Sequence, residues 1–172
     1  MGRSMRVVAI LMMVVAVAFA GCAKKKKRIT DESTIGTVPG EQSVTEGGTL
    51  DRYKRGLPPE EGGVLKDVHF AYDSAELDGE ARDVLAANAE WLKENPRART
   101  EIEGHCDERG TIEYNLALGA RRAQTAKDYL VSLGISADRL STISYGEELP
   151  LCRESNESCW ARNRRAHFVP PS

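Results

Sequence analysis

The chain has 172 residues and a mass of 18.9 kDa, with 24 basic and 26 acidic side chains and a formal net charge of −2. This length suits one domain of ordinary size and is too short for a multidomain enzyme. The balanced charge gives no general electrostatic attraction to nucleic acid, so we expect no nucleic-acid partner. Any partner must therefore be recognised by a local site.

The first 21 residues have the pattern of a secretory signal peptide. Arg3 and Arg6 precede an uncharged, mostly apolar run over residues 7–21, which ends in small residues. A helix of that length would span only about 22 Å, which is short of the roughly 30 Å hydrocarbon core of a bilayer. A basic start followed by a short apolar middle is typical of a signal peptide that is removed.

Residues 19–22, Phe-Ala-Gly-Cys, resemble the lipobox of bacterial lipoproteins. The resemblance implies cleavage before Cys22 and acylation of that cysteine, which anchors the chain stably because each buried CH₂ contributes about 0.8 kcal/mol. Ala23, in place of aspartate, implies sorting to the outer membrane on its periplasmic side. The alternative is an ordinary secreted cysteine that awaits a disulfide partner, but the basic residues 24–28 disfavour its burial in a core.

The segment that follows, residues 22–63, is predicted to be a lipidated N-terminus and flexible tether. It contains seven glycines, three prolines and a single aromatic residue, Tyr53, without sustained periodicity. Such a composition buries too little apolar surface to order itself. About 40 residues of this kind have an r.m.s. reach of roughly 35 Å. The alternative is a short strand or two near residues 44–50 that packs on the domain.

Residues 64–172 have the alternating strand and helix patterns of one globular domain. Spaced apolar residues predict a first strand over residues 64–70. Asp78 is suited to cap a helix over residues 79–94, which an Asn-Pro pair ends. Alternation returns at residues 99–104 and predicts a second strand.

Leucines and alanines at three- and four-residue steps predict a long helix over residues 111–133, which Gly134 ends. Third and fourth strands are predicted at residues 139–145 and 165–169. The order β-α-β-α-β-β favours an α/β fold of the α+β type. In this two-layer sandwich, both main helices cover one face of a mixed four-stranded sheet.

Four blocks of sequence in one order identify a family resemblance. The run Gly-His-Cys-Asp-Glu-Arg-Gly at residues 104–110 continues into a helical segment that ends Gly-Ala-Arg-Arg-Ala at residue 123. The other blocks lie at residues 68–73, 144–147 and 163–166. Together they resemble the OmpA-like peptidoglycan-binding domain over about residues 64–169, the family in which this fold is expected.

The resemblance implies binding of the peptidoglycan stem peptide, chiefly its meso-diaminopimelate, whose free end carries an ammonium and a carboxylate. Asp107 and Arg122 match the family positions that pair with these two groups by charge-assisted hydrogen bonds. Leu118, one helical turn before Arg122, would supply an apolar wall. The alternative role for Asp107 and Arg122 is a structural salt bridge between strand and helix.

Four further residues are implied as contacts by the same resemblance. Asp73 and Asn115 match family contacts, and Arg109 and the backbone around Cys106 are expected to contribute secondarily. Cys106 departs from the alanine or threonine that the family usually has there, although a small thiol should still fit. The resemblance implies no cofactor.

The cysteines leave one thiol over. Cys152 and Cys159 are seven residues apart and could form a disulfide in an oxidising compartment, which would leave Cys106 unpaired. An unpaired Cys106 is interpreted as an inert, half-buried thiol or as a redox-sensitive one near the ligand. A disulfide between Cys106 and either of the other two would put the pocket assignment in doubt.

Enzyme and metal-site interpretations receive little support. His105 and Cys106 could suggest a nucleophile and its base, but neighbours on a strand point to opposite faces. His69, His105 and His167 lie in or beside three predicted strands but lack the spacing of known zinc motifs. We therefore expect a non-enzymatic protein without a metal site.

Two questions stay open at this level. The basic cluster formed by Arg162, Arg164 and Arg165 is either a solvated strand end or a group with a role near the ligand or in packing. The resemblance further implies association with TolB and other Tol proteins, and so a role in envelope integrity and in outer-membrane constriction at cell division. The alternative is a structural wall anchor outside the Tol system.

Overall fold

A computed structural model of the chain describes residues 48–57, 61 and 63–169. The predicted signal peptide, Cys22 and the first part of the predicted tether lie outside the described residues. The elements, in chain order, are α1 (Thr49–Lys54), β1 (Val68–His69), α2 (Gly79–Glu94), β2 (Thr100–His105), α3 (Ile112–Ser132), β3 (Leu140–Gly146), α4 (Glu157–Asn163) and β4 (Arg165–Val169), with a 3₁₀ turn at Ala137–Arg139.

The four strands form one mixed sheet in the order β1-β4-β2-β3. Strands β2 and β3 are parallel, whereas β4 runs antiparallel to both β1 and β2. Ile102 in β2 lies between Thr142 of β3 and Phe168 of β4. The predicted fold class is confirmed: helices α2 and α3 cover one face of a mixed four-stranded sheet.

The core lies between these helices and the sheet. Asp78 begins α2 by accepting a hydrogen bond from the Ala81 amide at 2.8 Å, and Thr111 begins α3 in the same way with the Tyr114 amide at 3.2 Å. Each large apolar side chain that is fully buried stabilises the fold by about 1.5–3 kcal/mol. The members contributed by the helices and the two central strands include Leu85, Leu92, Ile102, Ala123, Ala126, Leu130 and Phe168.

The first strand is much shorter than predicted, since only Val68–His69 pairs with β4. The reason lies in the preceding backbone. Both the N–H and the C=O of Lys66 bond to the side-chain amide of Asn88 at 2.9 Å, and the Leu65 carbonyl accepts from the Gly63 amide. These groups are satisfied by a side chain and a turn, so they need no strand partner. Strands β2 and β3 begin one residue later than predicted.

Helices α1 and α4 were not predicted. Helix α1 lies inside the predicted tether, and its first residue, Thr49, is buried with its amide bonded to the Glu103 carboxylate at 2.9 Å. That contact spans 54 residues of sequence, so the local composition cannot indicate it. Helix α4 is capped by Asn156, whose side chain accepts from the Cys159 amide at 3.0 Å.

The other face of the sheet is buried and charged, which the alternating pattern of β2 did not indicate. Glu103 and His105 of β2 are fully buried with His105 Nε2 at 3.3 Å from the Glu103 carboxylate. Burial, together with the charge of Arg165, lowers the pKa of His105 to about 4, so the ring is neutral near pH 7. Of the two alternatives left open for the basic cluster, a solvated strand end does not hold for Arg164 and Arg165, which are both buried, whereas Arg162 is exposed.

Helix α3 crosses β2 at backbone contact. A Cβ on Gly104 would overlap the carbonyl group of Gly119, and a Cβ on Gly119 would meet the Ser144 hydroxyl and the Gly104 carbonyl. The approach therefore requires glycine on both elements. It sets the distance between the helix and the sheet at the point where the chain leaves β2.

We expect Gly104→Ala to lower the free energy of unfolding by about 3 kcal/mol or more, the upper end of overpacking costs, because the overlapped atoms belong to backbone that cannot rotate away. Urea denaturation followed by circular dichroism measures this. Gly79→Ala is the matched control, since a Cβ there meets nothing within 4 Å. A Gly104→Ala midpoint equal to that of the control would contradict the close crossing.

Candidate functional site

A cleft of about 130 Å³ opens where the loops after β1 and β2 meet α3. Its lining consists of Tyr72, Asp73, Cys106, Asp107, Arg109, Gly110, Tyr114, Asn115, Leu118, Arg122 and Arg164. The structure thus brings all seven predicted contact residues to one cleft, although they come from three separate parts of the chain.

Arg122 forms the floor of this cleft and is fully buried. Its Nε donates to the Ser74 carbonyl at 2.8 Å, Nη2 to the Ala71 carbonyl at 3.1 Å, and Nη1 to the His105 carbonyl at 2.9 Å. Nη1 also lies 3.4 Å from Cys106 Sγ. These partners use four of the five N–H groups of a guanidinium, and in the described part of the chain none of them is a carboxylate.

A buried cation held by carbonyl dipoles and a thiol has no directly hydrogen-bonded anion. Burial lowers the pKa of Arg122 from its usual value and the nearby Arg164 guanidinium adds to this effect, while Cys106 and Asp107 oppose it without outweighing it. Both effects mean that an anion entering the cleft would stabilise the charged side chain. Arg122 is therefore suited to receive a carboxylate.

Asp107 is neutralised within the protein, but not by Arg122. The guanidinium of Arg109 binds its carboxylate in a fork, with Nη2 at 2.7 Å and Nε at 3.1 Å, and Arg164 Nη1 approaches at 3.2 Å. Burial by itself raises the pKa of Asp107, but the hydrogen bonds from Arg109 and Arg164 outweigh it and keep the pKa below its ordinary value. A ligand ammonium at Asp107 must share this carboxylate with Arg109.

Asp73 offers a second, more accessible carboxylate. It is exposed and adopts the left-handed conformation with φ at 54°, which aspartate tolerates better than most residues. The hydroxyl of Tyr114, from the first turn of α3, donates to it. Asp73 therefore lies at the cleft mouth as a fixed acceptor.

Asn115 and Cys106 support the cleft from behind. The Asn115 amide donates to the carbonyls of Asp107 and Arg109 at 3.2 and 3.3 Å and to the Glu147 carboxylate, so it positions the loop after β2. Cys106 is a free, buried thiol that contacts the Asn115 carbonyl at 3.3 Å. Leu118 supplies the buried apolar part of the wall.

Three residues around the cleft were not predicted as part of the site. Arg164 was known only as a member of a basic cluster, yet it donates to the Phe70 carbonyl at 3.0 Å as well as to Asp107. The rings of Tyr72 and Trp160 flank the Arg109 guanidinium at 4.0 and 4.1 Å. The Asn-Arg-Arg-Ala block at residues 163–166 was a signal, but sequence spacing could not tell which arginine faces the cleft.

The geometry separates the histidine and the cysteine that the enzyme interpretation would pair. His105 faces Glu103 and the Tyr145 ring on the far side of the sheet from Cys106, as expected for strand neighbours. Within residues 48–57, 61 and 63–169 no group of three His, Cys, Asp or Glu side chains is arranged to hold a metal ion. The helices in these same ranges are too short or too polar to span a membrane.

We expect Cys106 to be alkylated by iodoacetamide slowly in the folded protein at pH 8 and rapidly in urea. Burial raises the pKa of its thiol, and the Arg122 charge does not outweigh this, so little thiolate forms. Timed quenching with mass spectrometry measures the rate. An exposed cysteine introduced by Arg121→Cys on α3 is the control; equal rates at the two positions would show that Cys106 is accessible.

Comparisons with known proteins agree with this architecture. The chain matches the model of the OmpA family over residues 69–164. It is 41% identical to the peptidoglycan-associated lipoprotein of Agrobacterium fabrum, over 94% of this chain and 86% of that protein. The crystal structure of the peptidoglycan-associated lipoprotein from Burkholderia pseudomallei is similar at 38% identity and a TM-score of 0.59, covering 60% of this chain and 88% of that one.

A more distant likeness extends to the C-terminal domain of Helicobacter pylori MotB, with 18% identity and a TM-score of 0.59 over 63% of this chain and 85% of that one. This likeness concerns the fold alone. The family match covers more than half of the chain, and the similarity to the Agrobacterium protein extends over most of both sequences. The chain therefore belongs to the OmpA family, as a relative of the peptidoglycan-associated lipoproteins.

Proposed function

We propose that this protein is a cell-envelope anchor whose domain binds peptidoglycan without forming a covalent bond. Family membership and the names of its relatives support the binding of peptidoglycan. The cleft supports a binding role over a catalytic one. Its charged side chains bond to one another and to backbone carbonyls, and they do not form the pair of nucleophile and base that covalent catalysis requires.

The specific ligand that we propose is the diaminopimelate of the stem peptide. Its free end is a zwitterion, with an ammonium and a carboxylate on one carbon. A receptor therefore needs a cationic donor and an anionic acceptor in the same cleft. Arg122 would bind the carboxylate. Asp73 and Asp107, the latter still bound to Arg109, would bind the ammonium. The observation that carries this proposal is the buried Arg122 guanidinium, which has no carboxylate partner among the described residues and lines the same cleft as two aspartates.

The proposed attachment at the other end is through acyl chains on Cys22 after removal of residues 1–21. The lipobox-like residues 19–22 support this, and Ala23 supports the outer membrane, on its periplasmic side, as the destination. Acyl chains hold one end of the molecule in the bilayer while the domain binds the wall. The protein would thereby link the outer membrane to peptidoglycan mechanically.

We expect Asp73→Asn and Arg122→Lys each to weaken retention on purified diaminopimelate-type peptidoglycan about tenfold or more. Asparagine keeps the shape and the left-handed backbone of Asp73 but removes the charge, and lysine keeps the charge of Arg122 but lacks its fork. A charge-assisted hydrogen bond contributes roughly 1.5–3 kcal/mol, which is about ten- to a hundredfold in affinity. Sedimentation of peptidoglycan with bound protein measures the loss.

Matched controls are Asp83→Asn on α2 and Arg121→Lys on α3, which are both exposed and do not line the cleft. They should leave retention unchanged. Circular dichroism on every variant separates loss of binding from loss of folding. If folded Asp73→Asn and Arg122→Lys proteins sediment with peptidoglycan as the wild type does, the zwitterion-binding cleft is wrong.

The pathway that we propose is the Tol system, with TolB as a partner. We expect crosslinking in living cells followed by purification of this protein to recover TolB, and soluble peptidoglycan fragments to reduce that recovery if the two partners compete. The competing proposal is a structural wall anchor of the same fold outside the Tol system. Recovery of peptidoglycan without any Tol protein would favour that alternative.

A further inference from the structure

A disulfide closes the segment between β3 and α4 beside the cleft. Cys152 and Cys159 are joined with their Cα atoms 5.4 Å apart. Within residues 153–159 the only buried residue is Cys159 itself, while residues 153–158 are exposed. The segment therefore has little apolar packing to hold it in place.

Two asparagine side chains bond to the backbone of this segment. The Asn163 side chain bonds to the Leu151 and Cys152 amides at 2.9 and 3.1 Å and to the Cys152 carbonyl at 2.8 Å. At the other end, the Asn156 side chain caps α4. The disulfide is the covalent bond that joins these ends, so it limits the movement of α4 relative to the rest of the loop.

The first turn of α4 carries Glu157, which faces the cations of the cleft. One of its carboxylate oxygens lies 2.7 Å from Arg164 Nη2 and the other lies 3.8 Å from Arg109 Nη2. Arg164 and Arg109 are the two groups that bind the Asp107 carboxylate. Glu157 therefore fixes both partners of Asp107 from the outside.

The next turn carries Trp160, which together with Tyr72 flanks the Arg109 guanidinium. Its ring lies 4.1 Å from the guanidinium, and its indole N–H donates to the Glu108 carboxylate at 3.1 Å. The Ser155 hydroxyl of the same closed segment donates to Glu108 at 2.7 Å. Two side chains of the closed segment, Ser155 and Glu157, and that of the adjacent Trp160 thus contact the loop that carries Asp107.

We propose that the Cys152–Cys159 disulfide is a positioning element of the binding site, which sets the affinity for the ligand by holding Glu157 and Trp160 against Arg109 and Arg164. This inference rests on the proposed stem-peptide function. Opening the bond would remove the covalent constraint on the exposed segment, which its hydrogen bonds alone would then hold, and the two arginines would be supported less firmly. Asp107 would then be less well oriented for a ligand ammonium.

The coupling has a thermodynamic consequence that a purely structural disulfide far from the site would lack. Reduction by a dithiol reductant breaks the S–S bond and transfers two electrons and two protons to the two sulfurs, while the reductant becomes a cyclic disulfide. If the oxidised form binds ligand more tightly, ligand must by linkage make the bond harder to reduce. A tenfold affinity ratio shifts the midpoint potential by about 30 mV.

The test uses the full-length lipidated protein in detergent and a soluble diaminopimelate-containing muropeptide. We expect calorimetry to give about tenfold weaker binding for the Cys152→Ser/Cys159→Ser variant than for the oxidised wild type. We also expect saturating muropeptide to lower the midpoint potential of the wild-type disulfide by about 30 mV in dithiothreitol redox buffers. Thiol labelling with mass spectrometry measures the reduced fraction at each potential.

A second pair of variants keeps the disulfide intact. Glu157→Gln should weaken muropeptide binding several-fold, because it removes the charge that faces Arg164 and Arg109. Glu154→Gln is the matched control in the same closed segment, since the described contact of its carboxylate is with Asn156. Equal binding by Glu157→Gln and Glu154→Gln would count against the inference even if the double serine variant failed to fold.

The inference is overturned if oxidised wild type and folded serine variant bind the muropeptide equally and the ligand leaves the midpoint potential unchanged. The proposed function survives that outcome, because binding itself is seen. Absence of muropeptide binding by the oxidised wild type overturns the proposed function, and the inference with it.

Discussion

The site depends on one steric constraint, the backbone contact between Gly104 of β2 and Gly119 of α3. Without side chains at these two positions, the helix lies against the strand at a distance that no other pair of residues allows. Asp107 follows Gly104 by three residues, and Arg122 follows Gly119 by one helical turn. The contact therefore brings the loop after β2 over the buried guanidinium, and every charged group of the cleft is arranged around that junction.

One arginine of the cleft lacks a carboxylate partner among the described residues, and this favours the carboxylate-bearing ligand proposed above. Two aspartates, Asp73 and Asp107, and three arginines lie among the lining residues. Arg109 and Arg164 bind Asp107 and also face Glu157, whereas Arg122, deep in the protein, bonds to carbonyl groups and the Cys106 thiol. Charges interact more strongly in such a site than in water, since protein surroundings screen them less. Family resemblance named the residues, but this distribution of partners supplies a physical reason for a zwitterionic ligand.

Local sequence signals predicted the parts of the fold that depend on local interactions. Asp78 caps α2 as expected, and Thr111, the first residue of the predicted long helix, caps α3, since a side-chain oxygen within three residues satisfies the first free amides. Local sequence signals failed where the backbone bonds to a group that is distant in sequence. Asn88 satisfies the backbone of Lys66 in place of a strand, and Glu103 receives the amide of Thr49 at the start of α1. Neither partner can be deduced from the residues next to it.

The sequence by itself determined the fold class and the order of the four strands and two long helices along the chain, because periodicity and caps are local properties. Its motif blocks, through the family resemblance, named seven of the eleven residues that line the cleft. The tertiary structure alone decided which charge pairs with which. Asp107 binds Arg109 and Arg164, and Arg122 is left to carbonyl groups. Pairing in a cleft depends on distances between side chains from α3, from the loop after β2 and from Arg164 between α4 and β4, and those distances are set by packing.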